Sequence, residues 1–123
     1  MRALIVDDSR SIRVIIGRFL RELGFETLEA ANGREALDVL SAAEKVDLAL
    51  VDWNMPVMDG YQLVCELRRN PSRDDMRILM VTTETEIDRV STALEAGASE
   101  YLMKPFTKDA IAGKLAILGL VEA

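Results

Sequence analysis

In several places along this sequence an apolar run ends in a side chain able to do chemistry. Val6 is followed by Asp7-Asp8, Val51 by Asp52, Val81 by Thr82-Thr83, and Met103 by Lys104-Pro105. Singly, each has a plainer use. An aspartate after a strand is often a cap or turn residue, the threonines could cap the helix that follows, and Lys104 could be a solvated charge before a proline turn. It is their joint placement at neighbouring strand ends that points to one pocket. Two carboxylates about 4 Å apart repel by roughly 4 kcal/mol at an effective dielectric of 20, so such a pocket either protonates one or takes up a cation. The ligands are hard oxygens without sulfur or imidazole, which suits Mg²⁺ keeping part of its water shell better than a calcium cage. A divalent ion, the Lys104 ammonium, a hydroxyl and a spare carboxylate nucleophile together are equipped for phosphoryl transfer, where positioning and charge neutralisation supply most of the catalysis.

The elements that must position these groups are legible as alternating patterns. Candidate strands run from Ala3 to Val6, Phe25 to Ala30, Asp47 to Val51, Arg77 to Val81 and Ser99 to Met103, each followed by a helical pattern. The first helix carries Ile12, Ile15, Ile16, Phe19 and Leu23 as its inner stripe, with Ser9 or Ser11 as cap and Gly24 as stop. Further helices are expected near Gly33–Ala43, Tyr61–Arg69, Glu86–Ala96 and Thr107–Leu120. Regular βα alternation predicts an α/β fold, a doubly wound five-stranded parallel sheet with helices on both faces. The first, third and fourth strands are continuously apolar and should be interior, whereas Phe25-Glu26-Thr27-Leu28-Glu29-Ala30 mixes in charge and should be an edge. Placing the second and fifth strands at the edges gives the order 2-1-3-4-5, the flavodoxin-like (βα)5 arrangement, whose crevice lies beyond the carboxyl ends of the strands.

Composition narrows the function. The 123 residues suit one domain, and 50% hydrophobic with 29% charged residues favours a packed core over disorder. A net charge of −6 is the wrong sign for binding nucleic acid or anionic lipid by counterion release. The absence of histidine removes imidazole from every mechanism. A single cysteine, Cys65, excludes an internal disulfide, Met1 leads into an apolar run rather than a signal peptide, and no run is long enough to span a bilayer. The expected setting is the cytoplasm.

Val6-Asp7-Asp8-Ser9, Val51-Asp52-Trp53-Asn54-Met55-Pro56 continuing to Met58-Asp59-Gly60, Met80-Val81-Thr82, and Gly97-Ala98-Ser99 leading to Tyr101 and Lys104-Pro105-Phe106 resemble the receiver domains of bacterial two-component response regulators. The likeness is greatest to the stand-alone chemotaxis regulators and spans nearly the whole chain, which reads as a single receiver domain over residues 1–123. The strand order is also theirs, so the topology draws on the resemblance as well as on strand composition. The resemblance implies that Asp52 accepts a phosphoryl group from a sensor kinase's phosphohistidine. It further implies that Asp8, Asp52 and the backbone carbonyl of Asn54 bind Mg²⁺ directly while Asp7 acts through water, and that Lys104 pairs with the phosphoryl oxygens. Thr82 moves to hydrogen-bond one of them, Tyr101 turns inward as it does, and Asn54 and Glu84 set the phosphoryl lifetime. A cis peptide at Lys104-Pro105 is implied too. Implied partners are a histidine kinase or phosphotransfer domain, a downstream output protein and a phosphatase, with a monomer before phosphorylation. No DNA-binding or enzymatic pattern follows Val121, so the expected output is protein binding in chemotaxis or motility, by a switch rather than a turnover enzyme. The middle relay of a phosphorelay is an alternative. A phosphatase of the haloacid dehalogenase type, which places its aspartate after the first strand, and a flavodoxin-type FMN carrier both fit the loops less well.

Several features lie outside that pattern. Arg10, Arg13, Arg18 and Arg21 make a basic face on the first helix, either solvated or a docking surface for an acidic partner. Ala112, Ala116, Ile117, Leu120 and Val121 leave apolar surface on the last helix, either an output or dimer face or a frayed end. Trp53 is expected to be partly exposed at the pocket mouth and to report on it, Cys65 to fill core, and Gly60 to supply a backbone conformation beside the pocket.

Overall fold

In a computed structural model that describes residues 1–122, and Glu84 by its backbone alone, the chain follows the expected alternation. The elements are β1 (Arg2–Val6), α1 (Arg10–Glu22), β2 (Glu26–Ala30), α2 (Gly33–Ala42), β3 (Leu48–Asp52), α3 (Gly60–Arg68), β4 (Arg77–Thr82), α4 (Val90–Ala96), β5 (Glu100–Met103) and α5 (Lys108–Ile117). All strands are parallel, in the order β2-β1-β3-β4-β5.

Strand alternation sends successive side chains to opposite faces, and each face meets its own helices. Leu4, Val6, Ala49, Val51, Ile78 and Met80 pack with Ala36, Leu40, Leu63, Leu67 and Ala93 of α2, α3 and α4. Ala3, Ile5, Leu48, Leu50, Leu79 and Val81 pack with Ile16 and Leu20 of α1 and Ile111 and Leu115 of α5. The interior strands β1, β3 and β4 are therefore buried on both sides, while β2 is exposed at two of its five positions, as an edge allows. Truncating a core side chain such as Leu50 to alanine would cost about 2 to 5 kcal/mol.

Boundaries differ from expectation where local geometry intervenes. Ser9, not Ser11, caps α1 by accepting from the Ile12 amide, and Gly24 follows its end at φ +95°. The fourth helix begins later than Glu86, because Glu84–Arg89 winds as a 3₁₀ segment before α4. The last helix stops at Ile117, where Gly119 turns the chain at φ +75°. Leu120 and Val121 consequently fold back onto the α1–α5 core rather than extending the apolar face, leaving Ile117 69% exposed. Cys65 is half-buried on α3, whose inner stripe is taken by Leu63, Val64 and Leu67, so it does not fill core. Among the described residues no helix is long and apolar enough to cross a membrane.

Candidate functional site

The sheet reverses its winding between β1 and β3, and the ends of these two strands lie side by side with Val6 paired to Val51. Such a switch point opens a crevice. Asp7 follows Val6 directly and Asp52 ends β3, so both carboxylates enter that crevice, with Asp8 at its rim. Carboxylate oxygens of Asp7, Asp8 and Asp52 lie within 4.8 Å of one another.

From the next strands come a hydroxyl and an ammonium. Thr82 closes β4, pairs with Met103 of β5, and is fully buried. Lys104 follows β5, its amide held by the Thr82 carbonyl, before a cis bond to Pro105. Its Nζ donates to Asp52 Oδ1 at 3.1 Å and stands 3.7 Å from Asp7 Oδ2.

The electrostatics are unfinished. Burial, reinforced by the neighbouring Asp7 charge, pushes the Asp52 carboxyl from its ordinary 3.8 up to about 6 against the pull of Lys104. Burial likewise raises Asp7, against the Ser9 amide that donates to its Oδ1. Burial lowers Lys104, but the Asp52 hydrogen bond and the Asp52 and Asp7 charges outweigh it, so the ammonium holds its proton more tightly than usual. Among the described residues, Asp7 Oδ2 and Thr82 Oγ1 are the buried side-chain polar atoms without a hydrogen-bond partner. Buried polar groups are rarely left so. A water on a hard cation would donate to Asp7 Oδ2 and an oxyanion would accept from Thr82 Oγ1, so the donor set fits hydrated Mg²⁺ and a phosphoryl group.

Arg13 and Gly60 hold the frame. Arg13 donates to the Asp7 carbonyl and to Glu29 Oε1 of β2, fastening the acidic loop to the edge strand. Of the basic face expected on α1, this residue is engaged inward and 15% exposed at its side chain, while Arg10, Arg18 and Arg21 face solvent. Gly60 is not at positive φ, so it is not required here for a left-handed backbone. It is needed for space, since a Cβ there would strike the Asp52 carbonyl, and its amide donates to the Trp53 carbonyl.

Trp53 is not at the mouth. It is 5% exposed, packed into the core with Tyr61 at 6.4 Å between centroids and Arg89 at 6.0 Å from its ring. The residue after a strand-end aspartate points to the opposite face, here toward α3. Tyr101 is half-buried beside Met80, with Lys114 Nζ at 4.1 Å from its ring centroid. The Glu84 side chain falls outside the described residues. Sequence reasoning missed Glu86, a buried carboxylate that accepts from the Thr83 amide and hydroxyl and from Asn54 Nδ2. The Thr83-Glu84-Thr85-Glu86 spacing, a capping-box signature, was the available signal.

A winding reversal lined by acidic residues on one side and by a threonine and lysine on the other defines a class of protein. Residues 3–116 match the response regulator receiver domain family, and the chain belongs to it. The chain is 46% identical over 116 residues to a chemotaxis protein CheY homolog of Campylobacter jejuni, covering 94% of this chain and 89% of that one. It is 41% identical over 119 residues to the chemotaxis protein CheY1 of Helicobacter pylori, covering 96% of each. Among solved structures, the chemotaxis protein CheY4 of Vibrio cholerae superposes with a TM-score of 0.87 at 37% identity, covering 94% of this chain and 96% of that one.

Proposed function

We propose that this chain is a phosphorylation-switched signalling protein, with Asp52 as the acceptor of a phosphoryl group from a kinase phosphohistidine. The observation that carries this reading is the buried Asp52 carboxylate bonded to Lys104 beside the unsatisfied Asp7 Oδ2 and Thr82 Oγ1. An Asp52 oxygen attacks phosphorus as the P–N bond to the donor imidazole breaks, and the electron pair of that bond stays on the nitrogen. Lys104 neutralises a phosphoryl oxygen, and the buried Thr82 hydroxyl donates to another. Asp8, Asp52 and the Asn54 carbonyl would hold Mg²⁺ directly, with Asp7 reaching it through water; when bound, the ion offsets the phosphoryl charge.

The added group brings about −1.5 to −2 charges. Drawing Thr82 toward it empties space beside Met80, into which Tyr101 can turn, and this changes the surface offered to a partner. Asn54 and Glu84 set the lifetime of the phosphorylated state. The similarity to chemotaxis proteins supports an output in chemotaxis or motility through a downstream protein, in the cytoplasm, from a monomer reset by hydrolysis or by a phosphatase, with no turnover of a separate substrate.

The test is intact mass after acetyl phosphate with Mg²⁺, run beside Asp52→Asn, with Trp53 fluorescence followed during the Mg²⁺ titration. One added phosphoryl mass in the wild type and none in the variant is expected. Equal masses in both would refute the assignment of Asp52.

A further inference from the structure

Glu86 is more deeply buried than a helix-capping residue needs to be. The reach of its Oε1 back to the Thr83 amide and hydroxyl, at 2.9 Å each, is what capping the 3₁₀ segment requires. A cap of this kind usually sits at the surface, yet Glu86 is 5% exposed. Its second oxygen, Oε2, is turned away from its own helix and accepts from Asn54 Nδ2, 32 residues away in sequence. Capping explains the first oxygen and leaves the burial and the second unexplained.

The two loops so joined flank the pocket. Asn54 lies two residues beyond Asp52 on the β3–α3 loop, and Thr83 follows Thr82 directly on the loop after β4. Asn54 as a residue is exposed, and an exposed asparagine side chain would otherwise rotate freely. With Nδ2 held by a buried carboxylate, its amide plane is set, and among the described residues Oδ1 accepts no hydrogen bond.

We propose that Glu86 is a positioning residue for hydrolysis of the phosphorylated Asp52, acting through the Asn54 amide. The inference rests on the reading of Asp52 as phosphoacceptor. In that hydrolysis a water oxygen bonds to phosphorus and the bond from phosphorus to the Asp52 oxygen breaks, its electron pair returning to the carboxylate. The proton of the water leaves to solvent. Asn54 Oδ1 orients this water by accepting one of its hydrogens, and Glu86 fixes where Oδ1 points. Losing a partner that orients a ligating or reacting group commonly costs 10- to 100-fold, and roughly a tenfold longer phosphoryl lifetime is expected for Glu86→Ala.

The experiment follows decay of the phosphoryl mass after removal of donor, in wild type, Glu86→Ala, Glu86→Gln, Asn54→Ala and the Glu86→Ala/Asn54→Ala double variant. Glu86→Gln keeps the length and one acceptor, so its lifetime should fall between wild type and Glu86→Ala, and it carries the comparison if the alanine variant does not fold. Glu86 should have no further effect once Asn54 is alanine, which a purely structural role would not produce. A second arm needs no phosphoryl group: the Asn54 side-chain amide protons, read by NMR, should be shifted and held in the wild type and revert to free-amide positions in Glu86→Ala. Absence of phosphoryl mass on the wild type would overturn the reading of Asp52, with the NMR arm still reporting on the Glu86–Asn54 contact. An unchanged or shorter lifetime in Glu86→Ala, more than a twofold residual effect in the Asn54→Ala background, or an unmoved Asn54 amide would overturn the role of Glu86.

Discussion

Asp52→Asn should make the protein more stable at neutral pH, and by an amount that depends on pH. The Asp52 carboxyl is raised from 3.8 to about 6 by burial first and by the Asp7 charge second. Folding therefore favours its protonated form. Well below 3.8 it is protonated folded or unfolded and contributes nothing; well above about 6 it is ionised in both states and the fold bears the whole cost. Between those limits stability falls as pH rises. The gap corresponds to about 3 kcal/mol at pH 7.5. Asparagine retains an acceptor for Lys104 Nζ while removing the charge, so the variant should recover about 2 to 3 kcal/mol. With a urea dependence of roughly 1 to 3 kcal/mol/M for a domain of this size, the midpoint should rise by about 0.7 to 3 M. The gain should shrink toward nothing at pH 4. Mg²⁺ should narrow the gap at pH 7.5 by stabilising the wild type preferentially. An Asp52→Asn protein no more stable than wild type at pH 7.5, or a difference that is the same at pH 4, would refute the claim that the pocket holds an uncompensated carboxylate.

Other perturbations separate the parts of the site. Thr82→Val removes a buried hydroxyl that has no partner, so it should stabilise by roughly 1 kcal/mol in thermal melts while abolishing the response of Trp53 fluorescence to acetyl phosphate. Lys104→Met leaves Asp7 and Asp52 facing each other without their cation and should cost about 3 kcal/mol without Mg²⁺, a loss that saturating Mg²⁺ reverses in urea titrations. Gly60→Ala drives a methyl group into the Asp52 carbonyl and should cost about 2 to 3 kcal/mol; a midpoint unchanged from wild type would show that the β3–α3 turn can yield. Arg13→Met frees the Asp7 carbonyl from β2, and Mg²⁺ affinity measured by Trp53 fluorescence should fall roughly tenfold.

Fold and site were legible to different depths. The strands β1, β3 and β4 read directly from apolar continuity, and the strand-end positions of Asp7, Asp52, Thr82 and Lys104 followed from where those runs stop. Ends set by single turns were harder: the 3₁₀ segment before α4 and the stop at Gly119 come from backbone geometry that periodicity does not register. Trp53 was misplaced because exposure depends on what stands opposite, and Tyr61 and Arg89 arrive from other elements.

By itself, the sequence determined the alternation of elements, the edge position of β2 and the residues delivered to the carboxyl ends of the sheet. These follow from hydrophobic periodicity and chain direction, which are properties of neighbours along the chain. Tertiary structure alone decided that Asp7 Oδ2 and Thr82 Oγ1 would be buried without partners, that Gly60 must lack a Cβ, that Arg13 turns inward, and that Glu86 reaches Asn54. Each depends on how close two distant segments come once the crossovers have packed, a distance that no local pattern encodes.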